Sequence, residues 1–204
     1  MSAKGLLFVI SGPAGSGKGT VIKHLMQKDP TFEYSVSATT RAPRPGEVDG
    51  VNYHYITRKD FEDRIKNGGM LEYTEYCGNY YGTPKKEAGA VLEWGKNLIL
   101  EIEVEGAMNV KRQYPDAVLI LLLPPTFAEQ EKRLRGRGTE SEEVIRGRLE
   151  RPREEMNFVS EYDYIVYNRE GGIDACADEM LAIVKSERCA ARRQSDVSKR
   201  YFEN

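Results

Sequence analysis

The sequence holds only two histidines and three cysteines among its 204 residues. Cys77, Cys176 and Cys189 are odd in number and lack metal-ligand spacing, so neither a disulfide framework nor a zinc site is expected, and reduced thiols fit a cytoplasmic protein. His24 and His54 stand alone in the sequence and are assigned no role. No apolar run approaches the roughly 20 residues needed to span a bilayer, and Met1-Ser2-Ala3-Lys4 leads straight into a strand pattern, so no signal peptide is expected. Neither sign of charge dominates. Thirty basic against thirty-two acidic residues leave a net charge of −2, so a nucleic-acid or membrane role would need a local patch, and none stands out. Repeats and low-complexity segments are missing as well. What remains is 40% hydrophobic residues, enough to pack one α/β domain with small inserted lobes.

One stretch organises the rest. The apolar run Leu6 to Ser11 breaks into Gly12-Pro13-Ala14-Gly15-Ser16-Gly17-Lys18-Gly19-Thr20, and Val21 to Met26 then reads as an amphipathic helix. Strand, glycine loop and helix in that order form a polyphosphate cradle, because bare backbone N–H groups and the positive end of a helix dipole meet at one place. Lys18 stands where the phosphate-loop pattern puts the lysine that reaches the β- and γ-phosphates. The next residue is Gly19 where a serine or threonine would offer magnesium a hydroxyl, and Thr20 comes one place later. Mg²⁺ is therefore expected chiefly on nucleotide phosphates and waters, with no protein ligand assigned.

Along the chain, Thr39 to Gly46 carries two prolines and is read as an ordered, arginine-bearing loop. Val51 to Ile56 and Met70 to Tyr76 alternate like half-exposed strands, the second pairing with Asn79 to Gly82 across a turn at Cys77-Gly78. Lys59 to Lys66 and Pro84 to Trp94 read as helices. Asn97 to Val104 and Ala117 to Leu123 read as buried parallel strands, and Tyr164 to Tyr167 as a last one. Pro125 to Leu134 is a further helix. Thr139-Glu140-Ser141-Glu142 has capping-box spacing, Ile173 to about Ala190 forms the final helix, and Arg192 onward is read as loosely held. The fold predicted is a doubly wound parallel sheet of the P-loop NTPase type with an inserted β-rich lobe at about 35–84 and a small helical lid at about 125–158. Core segments are 1–34, 85–124 and 159–190, with a tail at 191–204.

A second phosphate site decides among nucleotide hydrolase, transferase and switch. Arg41 and Arg44 on the proline-fixed loop, with Tyr53 and Tyr81, can surround one phosphate with forked cations and phenolic hydroxyls.

Ser35-Val36-Ser37-Ala38-Thr39-Thr40-Arg41-Ala42-Pro43-Arg44-Pro45-Gly46-Glu47 resembles the signature of guanylate kinase. Gly78-Asn79-Tyr80-Tyr81-Gly82-Thr83 resembles its second. The likeness runs on through Glu101-Ile102-Glu103, Gly136 to Glu140 and Tyr162-Asp163-Tyr164, covering roughly residues 5 to 187 in order. The resemblance implies ATP and GMP as substrates, with neither nucleic acid nor membrane as partner, and leaves the oligomeric state open. It places Ser37, Arg41, Arg44, Tyr53, Glu72, Tyr81, Thr83 and Glu103 at GMP, with Glu101 beside Glu103 where the family usually has aspartates. Lys18, Arg137 and Arg148 fall on phosphate-transfer positions, and Asn168 on the adenine side. Arg133, Arg146 and Arg151 fit a solvated helix face equally well.

The chemistry agrees with this assignment. Guanine offers N1–H and an exocyclic amine, so carboxylates such as Glu72 and Glu103 can accept from both, whereas adenine would leave them unpaired. Two rivals are weighed. A peptide-binding scaffold of the same fold is opposed by the intact phosphate loop, and a different phosphate acceptor is opposed by Glu72 within a tyrosine-rich lobe.

Overall fold

The computed structural model describes residues 4–136, 141–195 and 197–203. Every residue of β1 (Leu7–Ser11) is buried, and the two faces of the strand meet different helices. Phe8 and Ile10 pack on α1 (Lys18–Lys28) and α7 (Ile173–Cys189), through Val21, Ile22 and Leu25 and through Ala177 and Met180. Leu7 and Val9 pack instead on α3 (Lys85–Glu93) and α4 (Val104–Gln113), against Leu92, Ala107 and Val110. Being covered on both faces explains why this strand and its neighbours read as unbroken apolar runs.

β1 lies at the centre of a five-stranded sheet. β7 (Asn97–Glu101) and then β2 (Phe32–Tyr34) flank it on one side, β8 (Val118–Leu123) and then β9 (Tyr164–Tyr167) on the other, and all pairings are parallel. The chain therefore leaves β1 in both directions across the sheet. That arrangement opens a crevice at the strand's carboxyl end, where open α/β sheets bind ligands.

A second, four-stranded sheet follows β2 in the chain, in the order β4 (His54–Tyr55), β3 (Ala38–Thr39), β6 (Asn79–Pro84), β5 (Met70–Tyr76). β5 and β6 form a hairpin whose two-residue turn has Cys77 at φ 50° and Gly78 at φ 73°, the left-handed pair that such tight turns need. Phe61 of α2 (Arg58–Lys66) stacks on Tyr80 at 5.1 Å and, with Ala38 and Met70, gives this sheet a small core of its own. α5 (Phe127–Gly136) and α6 (Glu142–Glu155) lie between β8 and β9 in the chain, and α8 (Val197–Phe202) follows α7.

Several local expectations are corrected. Val51 to Ile56 forms a strand only at His54–Tyr55, because the residues before it turn around the Asp49–Tyr53 bridge. Thr39, read as loop, pairs with Tyr55 and Tyr81 within β3. The apolar run at 97–104 is not one strand. β7 stops at Glu101 and Val104 opens α4, a helix hidden in the sequence because two residues separate it from the strand. The N-cap of α6 is Ser141, whose hydroxyl accepts from the Val144 N–H, while Thr139 lies outside the described residues.

The segment after Arg192 is also better anchored than expected. Glu187, 1% exposed, accepts hydrogen bonds from Tyr164 Oη at 2.7 Å, from Arg193 Nε at 2.8 Å and from Arg192. Arg193 also donates to the Asp116 carbonyl at 2.9 Å. Burial alone would push the Glu187 carboxyl up, but Tyr164, Arg193 and Arg192 outweigh it and hold it below the ordinary value. A carboxylate depressed in the folded state adds stability above its unfolded pKa of about 4.3, and that contribution is lost as pH falls through the folded value. The double variant Arg192→Ala/Arg193→Ala should therefore lose about 3 kcal/mol at pH 7, and the deficit should shrink on acidification. Equal urea midpoints for variant and parent at pH 7 would refute the clasp.

Candidate active site

The loop between β1 and α1 is shaped by its glycines and pinned from outside. A Cβ on Gly12, at φ 153°, would run into the Leu122 carbonyl, and one on Gly17, at φ 86°, would stand 2.5 Å from Asn168 Nδ2. Only glycine fits either place. Two side chains from distant elements hold the loop. Asn168 Nδ2 donates to the Ser16 carbonyl at 2.8 Å, and Gln130 Nε2 of α5 donates to the Ala14 carbonyl at 3.1 Å. Lys18, the first residue of α1, lays its ammonium on the loop's outer carbonyls, 2.6 Å from Gly12 O and 3.4 Å from Pro13 O. Gly12, Pro13, Gly15 and Ser16 are buried, whereas Gly19 and Thr20 are exposed.

Asn168 was expected against the adenine. In the structure its amide nitrogen is taken up by the loop, and its backbone carbonyl accepts from Arg133 Nη2 at 2.9 Å. Arg133 is thereby part of the loop's support as well as of a helix face. Gln130 was missed in the sequence, its one signal being a polar residue on the buried side of a helix. The hydroxyls of Ser11, Ser16 and Tyr162 and one oxygen of Glu155 are buried near the loop without hydrogen-bond partners. Burial pushes the Tyr162 phenol up to about 12. The Glu155 carboxyl is also raised, first by burial and then by Glu103, with Lys18 and Arg151 opposing.

A cluster of charged and aromatic side chains surrounds Arg41 beside the second sheet. Its guanidinium grips Glu47 with both nitrogens, at 2.9 and 3.0 Å, and lies over the rings of Tyr53 and Tyr55 at 5.5 and 5.9 Å. Tyr53 in turn meets Tyr81 edge-on at 6.0 Å. Glu47 organises the cluster, accepting also from the Arg44 N–H at 2.7 Å and from Tyr55 Oη at 2.8 Å. Arg41 above all, then the Arg44 N–H, bring the Glu47 carboxyl down to about 2. Its role was not legible in the sequence, where it only closed the first signature. The Arg44 side chain is exposed, and Ser37 lends its carbonyl to the His54 N–H at 2.8 Å.

The predicted carboxylates separate into three environments. Glu72 of β5 is buried, accepts from Thr83 Oγ1 at 2.7 Å, and has its other oxygen 3.4 Å from where a Cβ of Gly106 would lie in the first turn of α4. Burial raises its pKa and the Thr83 bonds oppose the rise. Glu103 is the N-cap residue of α4, exposed, and meets Arg151 of α6 at 3.3 Å. Both thus border the positive end of one helix dipole. Glu101, two residues before Glu103, belongs elsewhere. It accepts from Tyr34 Oη at 3.1 Å and lies beside Gly19 of the phosphate loop. Tyr34 feels Glu101 and, more weakly, Tyr53, and burial above all raises its phenol.

Arg148 is half-buried in the middle of α6, Arg146 is exposed on the same helix, and Arg137 lies outside the described residues. Among the described residues no group of three or more His, Cys, Asp or Glu is placed to hold a metal, and no helix is long and apolar enough to cross a membrane.

The sequence profile of the guanylate kinase family matches residues 4–187. The chain belongs to the guanylate kinase family. A guanylate kinase of Streptococcus thermophilus is 53% identical over 194 residues, covering 95% of this chain and 92% of the relative. One of Halalkalibacterium halodurans is 50% identical over 190 residues, covering 93% and 92%. The crystal structure of guanylate kinase from Anaplasma phagocytophilum superposes with a TM-score of 0.73 at 29% identity, covering 97% of this chain and 94% of the other. The parallel sheet and its phosphate loop are those of the P-loop NTPase architecture to which guanylate kinases belong.

Proposed function

We propose that this chain transfers the γ-phosphoryl group of ATP to GMP, giving ADP and GDP. The observation that carries this reading is the pairing, in one molecule, of the loop at Lys18 with the Arg41–Tyr53–Tyr81 cluster, whose guanidinium and phenols suit a second phosphate. In this reading the loop takes the donor phosphates and the cluster takes the acceptor's. Transfer is direct and in line, without a phosphoenzyme. No general base is needed, because a phosphate monoester with its second pKa near ~6 is largely ionised at neutral pH.

In this reading residues 35–84 receive GMP and residues 125–158 act as the lid. Arg41, Arg44, Tyr53 and Tyr81 hold the GMP phosphate, while Ser37, Glu72, Thr83 and Glu103 surround the base. Lys18, Arg148 and Arg137 meet the transferring oxygens, where cations are worth most as charge develops. Asn168 and Gln130 keep the loop's N–H groups aimed at the donor phosphates. A cytoplasmic location belongs to the same reading, supported by the unpaired state of all three cysteines.

Mg²⁺, which would lie on the nucleotide phosphates beside Ser16 and Thr20, would supply charge neutralisation at the transferring phosphoryl group. The residues present fit a hard cation that keeps most of its waters. The buried Ser16 hydroxyl lacks a partner, Thr20 is exposed at the loop, and among the described residues no multidentate cage of His, Cys, Asp or Glu competes with nucleotide phosphates.

A coupled assay over a panel of nucleoside monophosphates tests the assignment. GMP should exceed AMP, CMP and UMP in kcat/KM by at least about a thousandfold, since a site built to pair guanine's donors leaves buried acceptors unmet by the others. Comparable efficiency with AMP would overturn it.

A further inference from the structure

Glu103 is the N-cap residue of α4, yet its side chain makes no cap hydrogen bond. Its carboxylate turns to α6 instead. One nitrogen of Arg151, Nη1, straddles the two oxygens at 3.3 and 3.4 Å, and both side chains are exposed. Arg151 has a second acid within reach along its own helix, because Glu155 lies four residues on and therefore on the same face. One oxygen of Glu155 is buried and has no hydrogen-bond partner among the described residues. The Glu155 carboxyl feels Glu103, Lys18 and Arg151, so the charges at the start of α4 and at the phosphate loop meet on it. Pro152, buried beside Arg151 in the chain, offers no N–H to the Arg148 carbonyl, which leaves α6 one hydrogen bond short at this turn.

We propose that Arg151 is a transferable latch, holding Glu103 in the free protein and passing to Glu155 when guanine takes the Glu103 carboxylate. The inference rests on the phosphotransfer reading. Guanine's N1–H and exocyclic amine are a parallel pair of donors, and such a pair needs both oxygens on the edge that Arg151 Nη1 occupies. Acceptor and arginine therefore compete. The displaced guanidinium is not left unpaired, because the buried oxygen of Glu155 can accept a charge-assisted hydrogen bond one turn away. With Glu155 neutralised by Arg151, Lys18 is relieved of its pull and turns fully to the donor phosphates. GMP binding thus strengthens donor binding, and by linkage the donor strengthens GMP binding by the same factor. An exposed ion pair is weak enough for a ligand to displace, so the coupling amounts to a few-fold.

The test is isothermal titration calorimetry on the full-length chain with GMP alone, with the non-hydrolysable ATP analogue AMP-PNP and Mg²⁺ alone, and with AMP-PNP in saturating GMP. Arg151→Gln should bind GMP alone about threefold more tightly, because the competitor for Glu103 is gone, and should lose about three- to fivefold of the coupling between GMP and AMP-PNP. Its affinity for AMP-PNP alone should stay within about twofold. Arg151→Lys, which keeps the charge but not the fork, should fall between the parent and Arg151→Gln. Glu155→Gln should lose the coupling while leaving GMP alone within about twofold, and the double variant Arg151→Gln/Glu155→Gln should lose no more coupling than either single change. Weaker GMP binding by Arg151→Gln would mean that the arginine supports Glu103 instead of competing for it, and would overturn the proposal. So would a parent without coupling, or coupling unchanged in both single variants. A parent chain that shows the coupling but does not phosphorylate GMP would refute the phosphotransfer reading alone.

Discussion

Lys18→Ala should lower kcat/KM for both substrates' turnover roughly a hundred- to a thousandfold while the protein stays folded. The ammonium lies on the loop, 2.6 Å from Gly12 O, and removing one preorganised donor from a developing charge costs on the order of 10²–10³ in rate. Stability should change by no more than about 1 kcal/mol, since the side chain makes hydrogen bonds to loop carbonyls and packs in no part of the core. Lys18→Arg should not restore the rate. A planar fork does not replace a compact point charge in a cradle that glycines have narrowed. Steady-state kinetics with a thermal melt decide the matter, and near-parental turnover in Lys18→Ala would remove the lysine from the mechanism.

Glu72→Gln should lower GMP efficiency about ten- to a hundredfold or more and weaken discrimination against AMP. The carboxylate is buried between Thr83 and the first turn of α4, so its replacement by an amide puts a donor where guanine also donates. A buried mismatch of this kind costs on the order of 1–3 kcal/mol. ATP binding should survive, because the loop and its supports are distant in the chain and share no hydrogen bond with Glu72. Stability gives a second signature. A carboxyl whose folded pKa is raised contributes stability below its unfolded value, and loses it as pH rises through the folded one. Glu72→Gln should therefore melt at the parent's temperature or higher at neutral pH, while the parent gains on acidification. Unchanged GMP kinetics and an unchanged GMP-to-AMP ratio would exclude Glu72 from base reading.

The lysine and the carboxylate differ in how the sequence exposed them. Lys18 sits inside a nine-residue pattern whose geometry is made locally, by glycines that turn and a helix that begins. Glu72 sits on a strand that alternates, and nothing within a few residues says that it is buried. Its burial follows from Thr83 opposite it in the hairpin and from α4, the helix that the apolar run at 97–104 concealed. Glu47 shows the same limit. As a residue it is an ordinary loop acid, and only the folding back of Tyr55 and Arg41 onto it makes it the hub of the Arg41 cluster.

By itself, then, the sequence determined the phosphate loop, the parallel α/β core, the hairpin at Cys77-Gly78 and the family signatures. Periodicity, turn chemistry and glycine placement act over a few residues and are written in the order of the chain. Tertiary structure alone decided which distant groups meet. Ser16 and Asn168 are 152 residues apart, and Tyr34 and Glu101 are 67 apart. It also sent Glu101 and Glu103 to different places, one to the phosphate loop and one to α6, because β7 ends between them and α4 begins. Where a strand stops against its neighbours depends on the packing of the whole sheet, and two glutamates in a row of apolar residues carry no trace of it.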